Sequence, residues 1–127
     1  MNISAAAQAA GLPVKTVRYY ADIGLVDPVD RTPSGYRRYD QSAVRRLTFV
    51  RRAREFGFPI DACRDLLGLY QDQNRSSADV KRLAAQRLEE IREKQRELQS
   101  LHDDLAHLVH ACSGDQRPDC PILNYLG

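Results

Sequence analysis

The chain has 127 residues, a formal net charge of +2 and 43% hydrophobic residues, enough for one small globular core. It shows no apolar run of twenty residues, no signal peptide and no lipidation motif, so we expect a cytoplasmic protein without a membrane segment. Residues 1–70 carry 11 Lys and Arg against 7 Asp and Glu, which favours nucleic-acid binding, whereas residues 71–127 carry 8 against 10.

The first 24 residues predict two short helices separated by a glycine-containing turn. Asn2 is a suitable N-cap for the first helix, and Gly11 ends it. Pro13 opens a second helix, which Gly24 ends. This is the outline of a helix-turn-helix, a motif that also occurs in proteins that do not bind DNA.

A β-hairpin wing is predicted next. Leu25-Val26 and Tyr36–Tyr39 form its two extended pieces, around a turn-rich segment with Pro33 and Gly35. Two connector helices follow. Asp40 caps a third helix through Phe56, and Pro59 opens a fourth that ends near Tyr70. We therefore place a DNA-binding domain with its connector helices at 1–70 and a polar hinge at 71–78.

A long dimerisation helix is predicted over residues 79–110. Ser76 to Asp79 fits a capping box, with Asp in place of Glu. Six of eight positions in a strict four-three spacing are apolar, and charged residues flank them, which indicates a coiled-coil seam. The seam positions are 84, 88, 91, 95, 98, 102, 105 and 109. The alternative is a helix that folds back on its own domain.

The last segment, 111–127, contains two cysteines that enclose a polar loop, and a short helix is predicted after them. No third sulfur and no imidazole lies between Cys112 and Cys120. Zn²⁺ usually takes four ligands, whereas soft monovalent ions such as Cu(I) are satisfied by thiolates alone. The pattern raises the question of a Cu(I)-type site in which the two sulfurs alone hold the ion. Two alternatives stay open: a regulatory disulfide, and a divalent site completed by His107, His110 or an aspartate.

The third cysteine, Cys63, is expected to be a small packing residue without a ligand role. An odd number of cysteines in a reducing compartment argues against a disulfide framework. No Ser/His/Asp pattern, glycine-rich phosphate loop or paired carboxylates are visible, so we do not expect an enzyme.

Basic and aromatic side chains are concentrated in three places that could contact DNA. Side chains at i and i+3 share a helix face, so Lys15, Arg18 and Tyr19 can enter a major groove together. The wing offers side chains that bind phosphates: Arg31, Tyr36, Arg37, Arg38 and Tyr39. The arginines of the third helix are explained well as solvated surface residues: Arg45, Arg46, Arg51, Arg52 and Arg54.

The chain resembles the MerR family of transcriptional regulators. The matching segments are Val17-Arg18-Tyr19-Tyr20, Gly24-Leu25, Arg31, Gly35-Tyr36-Arg37-Arg38-Tyr39 and Leu47 to Phe58. The thiol loop is similar to that of the copper-efflux regulator branch (CueR or HmrR type), through Cys112, Gly114-Asp115, Cys120 and Pro121-Ile122. Ala21 departs from the family pattern, which usually has an acidic residue there.

The resemblance implies a mainly α fold. Its parts are a winged helix-turn-helix, a two-helix connector, a long antiparallel coiled-coil dimerisation helix, and a C-terminal metal-binding loop with a short helix. It implies base or backbone contacts to DNA from one set of residues: Lys15, Arg18, Tyr19, Arg31, Tyr36, Arg37 and Tyr39. It makes Cys112 and Cys120 the metal ligands. Ser77 stands where divalent-ion sensors have a third cysteine, from the partner's long helix, and Lys81 matches a lysine of the copper branch.

The implied function is that of a homodimeric activator that responds to Cu(I), with Ag(I) and Au(I) as mimics. It would bind a pseudo-palindromic promoter and distort it when metal binds, so that RNA polymerase can engage it and copper-efflux genes are expressed. The alternatives are a sensor of divalent Zn, Cd, Pb or Hg, a thiol redox sensor and a copper buffer.

Overall fold

The computed structural model describes residues 1–127 and is mainly helical, which confirms the predicted fold class. It divides into two compact units, Met1–Ala84 and Ala85–Gly127. The elements in chain order are α1 Ile3–Ala10, α2 Val14–Asp22, β1 Asp30–Arg31, β2 Arg37–Arg38, α3 Gln41–Glu55, α4 Ile60–Gln71, α5 Ser77–Ala111 and α6 Pro121–Leu126. None of the helices combines the length and apolar character that crossing a membrane requires.

The helix-turn-helix forms as predicted, with caps at the expected residues. The side chain of Asn2 accepts a hydrogen bond from the amide of Ala5 at 2.8 Å, which satisfies one free amide of α1. Gly11 ends α1 in the left-handed conformation, at φ +73°, which glycine adopts without strain. Pro13 precedes α2 as its N-cap residue.

One hydrophobic core holds the first unit together. Three alanines of α1 are buried against α3, where their small side chains allow the two helices to approach closely. The largest fully buried side chains are Tyr39, Leu47, Val17, Val26, Val50 and Cys63. Leu83, in the second turn of α5, packs against this core from the edge.

The wing is shorter than predicted, and one of its strands was placed wrongly. Strand β1 is Asp30–Arg31, which pairs antiparallel with Arg37–Arg38. Leu25 and Val26 do not form a strand. Their amides bond to the carbonyl of Tyr20 at 2.9 and 3.2 Å, and both side chains are buried. They extend the C-terminal turn of α2 because this arrangement places both apolar side chains in the core.

The connector helices agree with the sequence, and the hinge is shorter than expected. Asp40 caps α3 by accepting from the amide of Ala43 at 2.8 Å. Helix α4 runs through Gln71, and α5 already begins at Ser77, so only residues 72–76 lie between them. The hydroxyl of Ser76 accepts from the amide of Ala78 at 3.1 Å, so Ser76 caps α5, although this bond reaches the second helical residue and not Asp79 as the predicted capping box requires.

The second unit consists of the main part of α5, the thiol loop and α6. No residue of α5 is buried within the chain. The seam positions Leu88, Leu98, Leu105 and Val109 are 46% to 68% exposed, although they are apolar. Helix α6 also exposes large apolar side chains: Leu123, Tyr125 and Leu126. A single copy of the chain therefore leaves an apolar stripe along α5 in water.

Candidate DNA-binding surface and thiol site

Helix α2 presents the predicted recognition residues to solvent. Val17 and Tyr20 anchor its inner face in the core. Lys15, Arg18 and Tyr19 lie on the exposed side. The helical spacing of the apolar residues explains the orientation, because Val17 and Tyr20 share one face, and burying it turns the cationic side chains outward.

A cleft of about 300 Å³ lies between α2 and the wing. Four of the predicted DNA contacts line it together: Arg18, Arg31, Tyr36 and Arg37. Tyr36 is 74% exposed at the tip of the wing, and Arg31 donates to the carbonyl of Gly35 at 3.3 Å. Several guanidinium groups and an exposed phenol around one cleft suit a phosphate group.

A second cleft, of about 370 Å³, lies on the other side of α2. Lys15 and Tyr19 line it together with Arg54, for which the sequence favours a solvated surface position. The Arg54 side chain donates to the carbonyl of Phe58 at 2.7 Å, so it is held at the end of α3. The signal was present in the sequence, since Arg54 belongs to the segment that resembles the family. Its position next to Lys15 and Tyr19 is evident only from the tertiary structure.

Tyr39 differs from the expectation that it contacts DNA. Its side chain is only 1% exposed, and its hydroxyl has no hydrogen-bond partner in the chain. Burial raises the pKa of this phenol above its ordinary value. Tyr39 is therefore a core residue beneath the wing, and we do not retain it among the candidate DNA contacts. The sequence prediction failed here because the strand alternation directs residue 39 inward.

Arg37 is also less available than the sequence suggested. Its side chain is 18% exposed and forms an ion pair with Asp22 at 2.5 Å. A longer contact of 3.5 Å runs from Arg37 to the carbonyl of Arg18. The neighbouring Arg38 is bound by both carboxylate oxygens of Asp30, at 2.5 and 2.6 Å. Arg31 and Tyr36 are exposed without such an ion pair, whereas Arg38 is exposed but held by Asp30.

The thiol loop begins where α5 ends. The amide of Cys112 donates to the carbonyl of Leu108 at 3.1 Å, so this cysteine closes the last turn. Gly114 follows with φ +66°, and the carboxylate of Asp115 accepts from both the amide and the side chain of Arg117 at 2.9 Å. These contacts turn the loop back toward α6. Cys120 is the residue directly before that helix.

The two thiols of the loop lie together and are half-buried. Both are free rather than joined in a disulfide. The amide of Leu123 holds the pKa of the Cys120 thiol below its ordinary value, and the amide of Ile122 and the thiol of Cys112 add to this effect. The backbone amides at the start of α6 thus favour the thiolate form of Cys120.

The remaining predicted residues of the site lie elsewhere in the chain. Ser77 and Lys81 are exposed in the first two turns of α5, whereas Cys112 follows the last residue of that helix. No group of three or more His, Cys, Asp and Glu residues that could hold a metal is present within one chain. Cys63 is fully buried, and burial raises the pKa of its thiol, in agreement with a packing role.

Comparisons with known proteins agree with this arrangement. The family described as "MerR HTH family regulatory protein" matches residues 1–69, and the family "MerR, DNA binding" matches residues 44–108. The HTH-type transcriptional regulator HmrR of Rhizobium leguminosarum bv. viciae is 52% identical over 99% of this chain and 97% of its own length. The regulator CueR of Salmonella typhimurium is 43% identical over 99% and 91%.

A solved structure is similar over the whole chain. It is the transcription regulator PbrR691 from Ralstonia metallidurans CH34 in complex with lead(II), with a TM-score of 0.85 and 31% identity. The comparison covers 100% of this chain and 99% of that one. The matches to HmrR, CueR and PbrR691 span both the helix-turn-helix and the thiol loop, whereas the two family models together end at residue 108. The chain therefore belongs to the MerR family of helix-turn-helix regulatory proteins.

Proposed function

We propose that the chain is a homodimeric transcriptional activator that binds promoter DNA and responds to Cu(I), with Ag(I) and Au(I) as chemical mimics. The observation that carries this proposal is the pair of adjacent thiols, Cys112 and Cys120, of which Cys120 has a lowered pKa. The similarity to regulators named HmrR and CueR supports the same assignment.

The donor set suits a soft monovalent ion. Thiolates are the ligands that Cu(I) prefers, and two of them are sufficient for it, whereas Zn²⁺ usually requires four ligands. When bound, the ion would supply a bond to each sulfur and carry one positive charge, which leaves a net charge of −1. The amides of Ile122 and Leu123, which already stabilise the Cys120 thiolate, would offset that charge.

The second copy of the chain would complete the site without adding a third sulfur. We propose that the partner's Ser77 and Lys81 lie near the thiol loop, as expected for an antiparallel pairing of α5 with the exposed seam buried between the copies. A hydroxyl is a poor ligand for a soft ion. The ammonium group of Lys81 would further reduce the charge of the site.

The output of the switch is proposed to be a change in DNA shape. Two recognition helices in a dimer fit two half-sites of a pseudo-palindrome. A ligand shifts such an equilibrium only through a difference in affinity between two conformations, and here the deformed promoter would accompany the metal-bound one. RNA polymerase would then engage the promoter elements, and copper-efflux genes would be transcribed.

A divalent-ion sensor is the second candidate, because the similar structure of PbrR691 is a complex with lead(II). The two candidates are separated by a titration of the reduced protein with buffered Cu(I) in competition with Zn²⁺ or Pb²⁺. We expect one Cu(I) per chain, bound much more tightly than either divalent ion. Comparable binding of a divalent ion would refute the Cu(I) assignment.

The cysteines are tested by substitution. Cys112→Ser should abolish Cu(I) binding and metal-dependent transcription while leaving DNA binding intact. Cys63→Ser is the matched control, because this thiol is buried in the other unit and should leave Cu(I) affinity unchanged. Loss of promoter binding in Cys112→Ser would show that the loop is structural. A copper buffer, in contrast, would show no specific affinity for the DNA upstream of its own gene.

A further inference from the structure

An ion pair connects the recognition helix to the wing. It joins Asp22, in the last turn of α2, to Arg37, in strand β2. We propose that this pair is a positioning clamp that sets the wing against α2, and that Arg37 acts through Asp22 and not as a ligand of a DNA phosphate. The inference rests on the proposed binding of promoter DNA and assigns roles to two residues within that surface.

The geometry directs the Arg37 guanidinium toward α2. Its Nη2 lies 2.5 Å from an oxygen of Asp22, and its Nη1 lies 3.5 Å from the carbonyl oxygen of Arg18. The side chain is 18% exposed, whereas Asp22 is 53% exposed. The backbone of Arg37 pairs with Arg31 across the hairpin. One side chain thus fixes the strand that carries Arg31 relative to the helix that carries Arg18.

The negative charge of Asp22 is unfavourable both for helix α2 and for DNA binding, unless a structural role offsets it. It lies at the C-terminal end of α2, where the helix dipole disfavours a carboxylate. It also pairs with Arg37, which lines the cleft proposed to face DNA, where a negative charge repels phosphates. If electrostatics alone mattered, removing this charge would strengthen DNA binding. If the clamp positions the wing, removing the charge weakens DNA binding. The two roles therefore predict opposite changes in DNA affinity.

The wing contains a second ion pair that serves as a control. Asp30 binds Arg38 through two contacts of 2.5 and 2.6 Å. These residues face each other across the hairpin, and their side chains pair with each other and not with a residue of α2. Asp30→Asn and Asp22→Asn remove the same charge from the same surface, but only Asp22→Asn disconnects the wing from the recognition helix.

The test measures the affinity of the full chain for the DNA upstream of its own gene, over a series of salt concentrations. We expect Asp22→Asn to weaken binding about tenfold, as for the loss of one charge-assisted hydrogen bond. Asp30→Asn should bind as tightly as the wild type or more tightly. Introduced into the wild type, Arg37→Gln should weaken DNA binding by a similar factor. Introduced into Asp22→Asn, it should change the DNA affinity by less than about twofold, because the two residues act as a unit.

Two further readouts distinguish positioning from a general loss of stability. In Asp22→Asn the slope of log K against log salt should become shallower by about 1, because the mispositioned wing loses a phosphate contact. A merely destabilised protein would keep the slope of the wild type. Asp22→Glu keeps the carboxylate and should restore most of the affinity. Thermal unfolding of each variant verifies that it is folded under the assay conditions.

The inference is overturned if Asp22→Asn binds DNA as tightly as the wild type or more tightly, since Asp22 would then only mask Arg37. It is also overturned if Arg37→Gln costs the same affinity in both backgrounds, which indicates a direct phosphate contact. Failure of the wild type itself to bind the DNA would instead contradict the proposed function.

Discussion

The side chain of Arg64 donates a hydrogen bond from Nη2 to the carbonyl of Ile23 at 3.1 Å. Its Nη1 donates to the next carbonyl, that of Gly24, also at 3.1 Å. A cation is thus held at the C-terminal end of the recognition helix, where carbonyl groups have no partner within the helix. The contact ties connector helix α4 to the end of α2.

We predict that Arg64→Ala lowers the free energy of unfolding by about 1–3 kcal/mol, because two carbonyls lose a charged donor. Urea unfolding measures this. Arg75→Ala is the control, since Arg75 is exposed like Arg64 but donates only to the nearby carbonyl of Asp72. Equal effects of the two substitutions would show that the Arg64 contact contributes nothing specific.

The cysteines should react with an alkylating agent in a defined order. The pKa of Cys120 is lowered, so its thiolate, the reactive form, is present at lower pH than that of an ordinary thiol. The pKa of Cys63 is raised by burial, so its thiolate forms only at higher pH. We expect iodoacetamide to modify Cys120 before Cys63 across a pH series, as followed by mass spectrometry. The difference should disappear in denaturant, and a difference that persists there would contradict its structural origin.

Ser77→Cys tests the proposed metal selectivity. If Ser77 of one copy lies at the thiol loop of the other, a third sulfur should increase the affinity for Zn²⁺ or Pb²⁺ at least about tenfold, because these ions favour more ligands than Cu(I) does. Ser76→Cys places the same group one residue earlier, at the N-cap, and serves as the control. Equal metal affinities of both variants would argue against a role for position 77.

The exposed seam of α5 should hold the dimer together. Leu98 is apolar and 68% exposed in a single chain, so burying it between two copies removes apolar surface from water. Leu98→Lys should shift the protein toward monomers, as measured by sedimentation. Gln86→Lys introduces the same side chain on the flank of the same helix and should leave the dimer intact. A dimeric Leu98→Lys variant would refute the seam as the interface.

The recognition helix is tested through its exposed arginine. Arg18→Ala should weaken promoter binding by about 1–3 kcal/mol, with and without Cu(I), because the side chain lies on the face proposed to enter the groove. Arg92→Ala removes an exposed arginine of α5 and should not change the affinity. An unchanged affinity of Arg18→Ala would contradict the assignment of α2.

Much of this protein could be predicted from its sequence because the signals are local. The cap at Asn2, the glycine at position 11 and the cap at Asp40 fixed three helix boundaries, since capping depends on residues only a few positions apart. That the thiols of Cys112 and Cys120 lie close to each other was predictable because the two residues are also close in the sequence. A loop of seven residues lies between them.

Tertiary packing decided what the local signals left open. Leu25, Val26 and Tyr39 have residue types that suit a strand or a DNA contact, yet all three are buried, because the core of the first unit needs their apolar area. Asp22 and Arg37 are fifteen residues apart and form an ion pair that no spacing rule indicates. The sequence by itself determined the helices, the caps and the thiol pair. Only the tertiary structure decided which wing residues face solvent and which hold the wing in place, because that depends on contacts between residues distant in the chain.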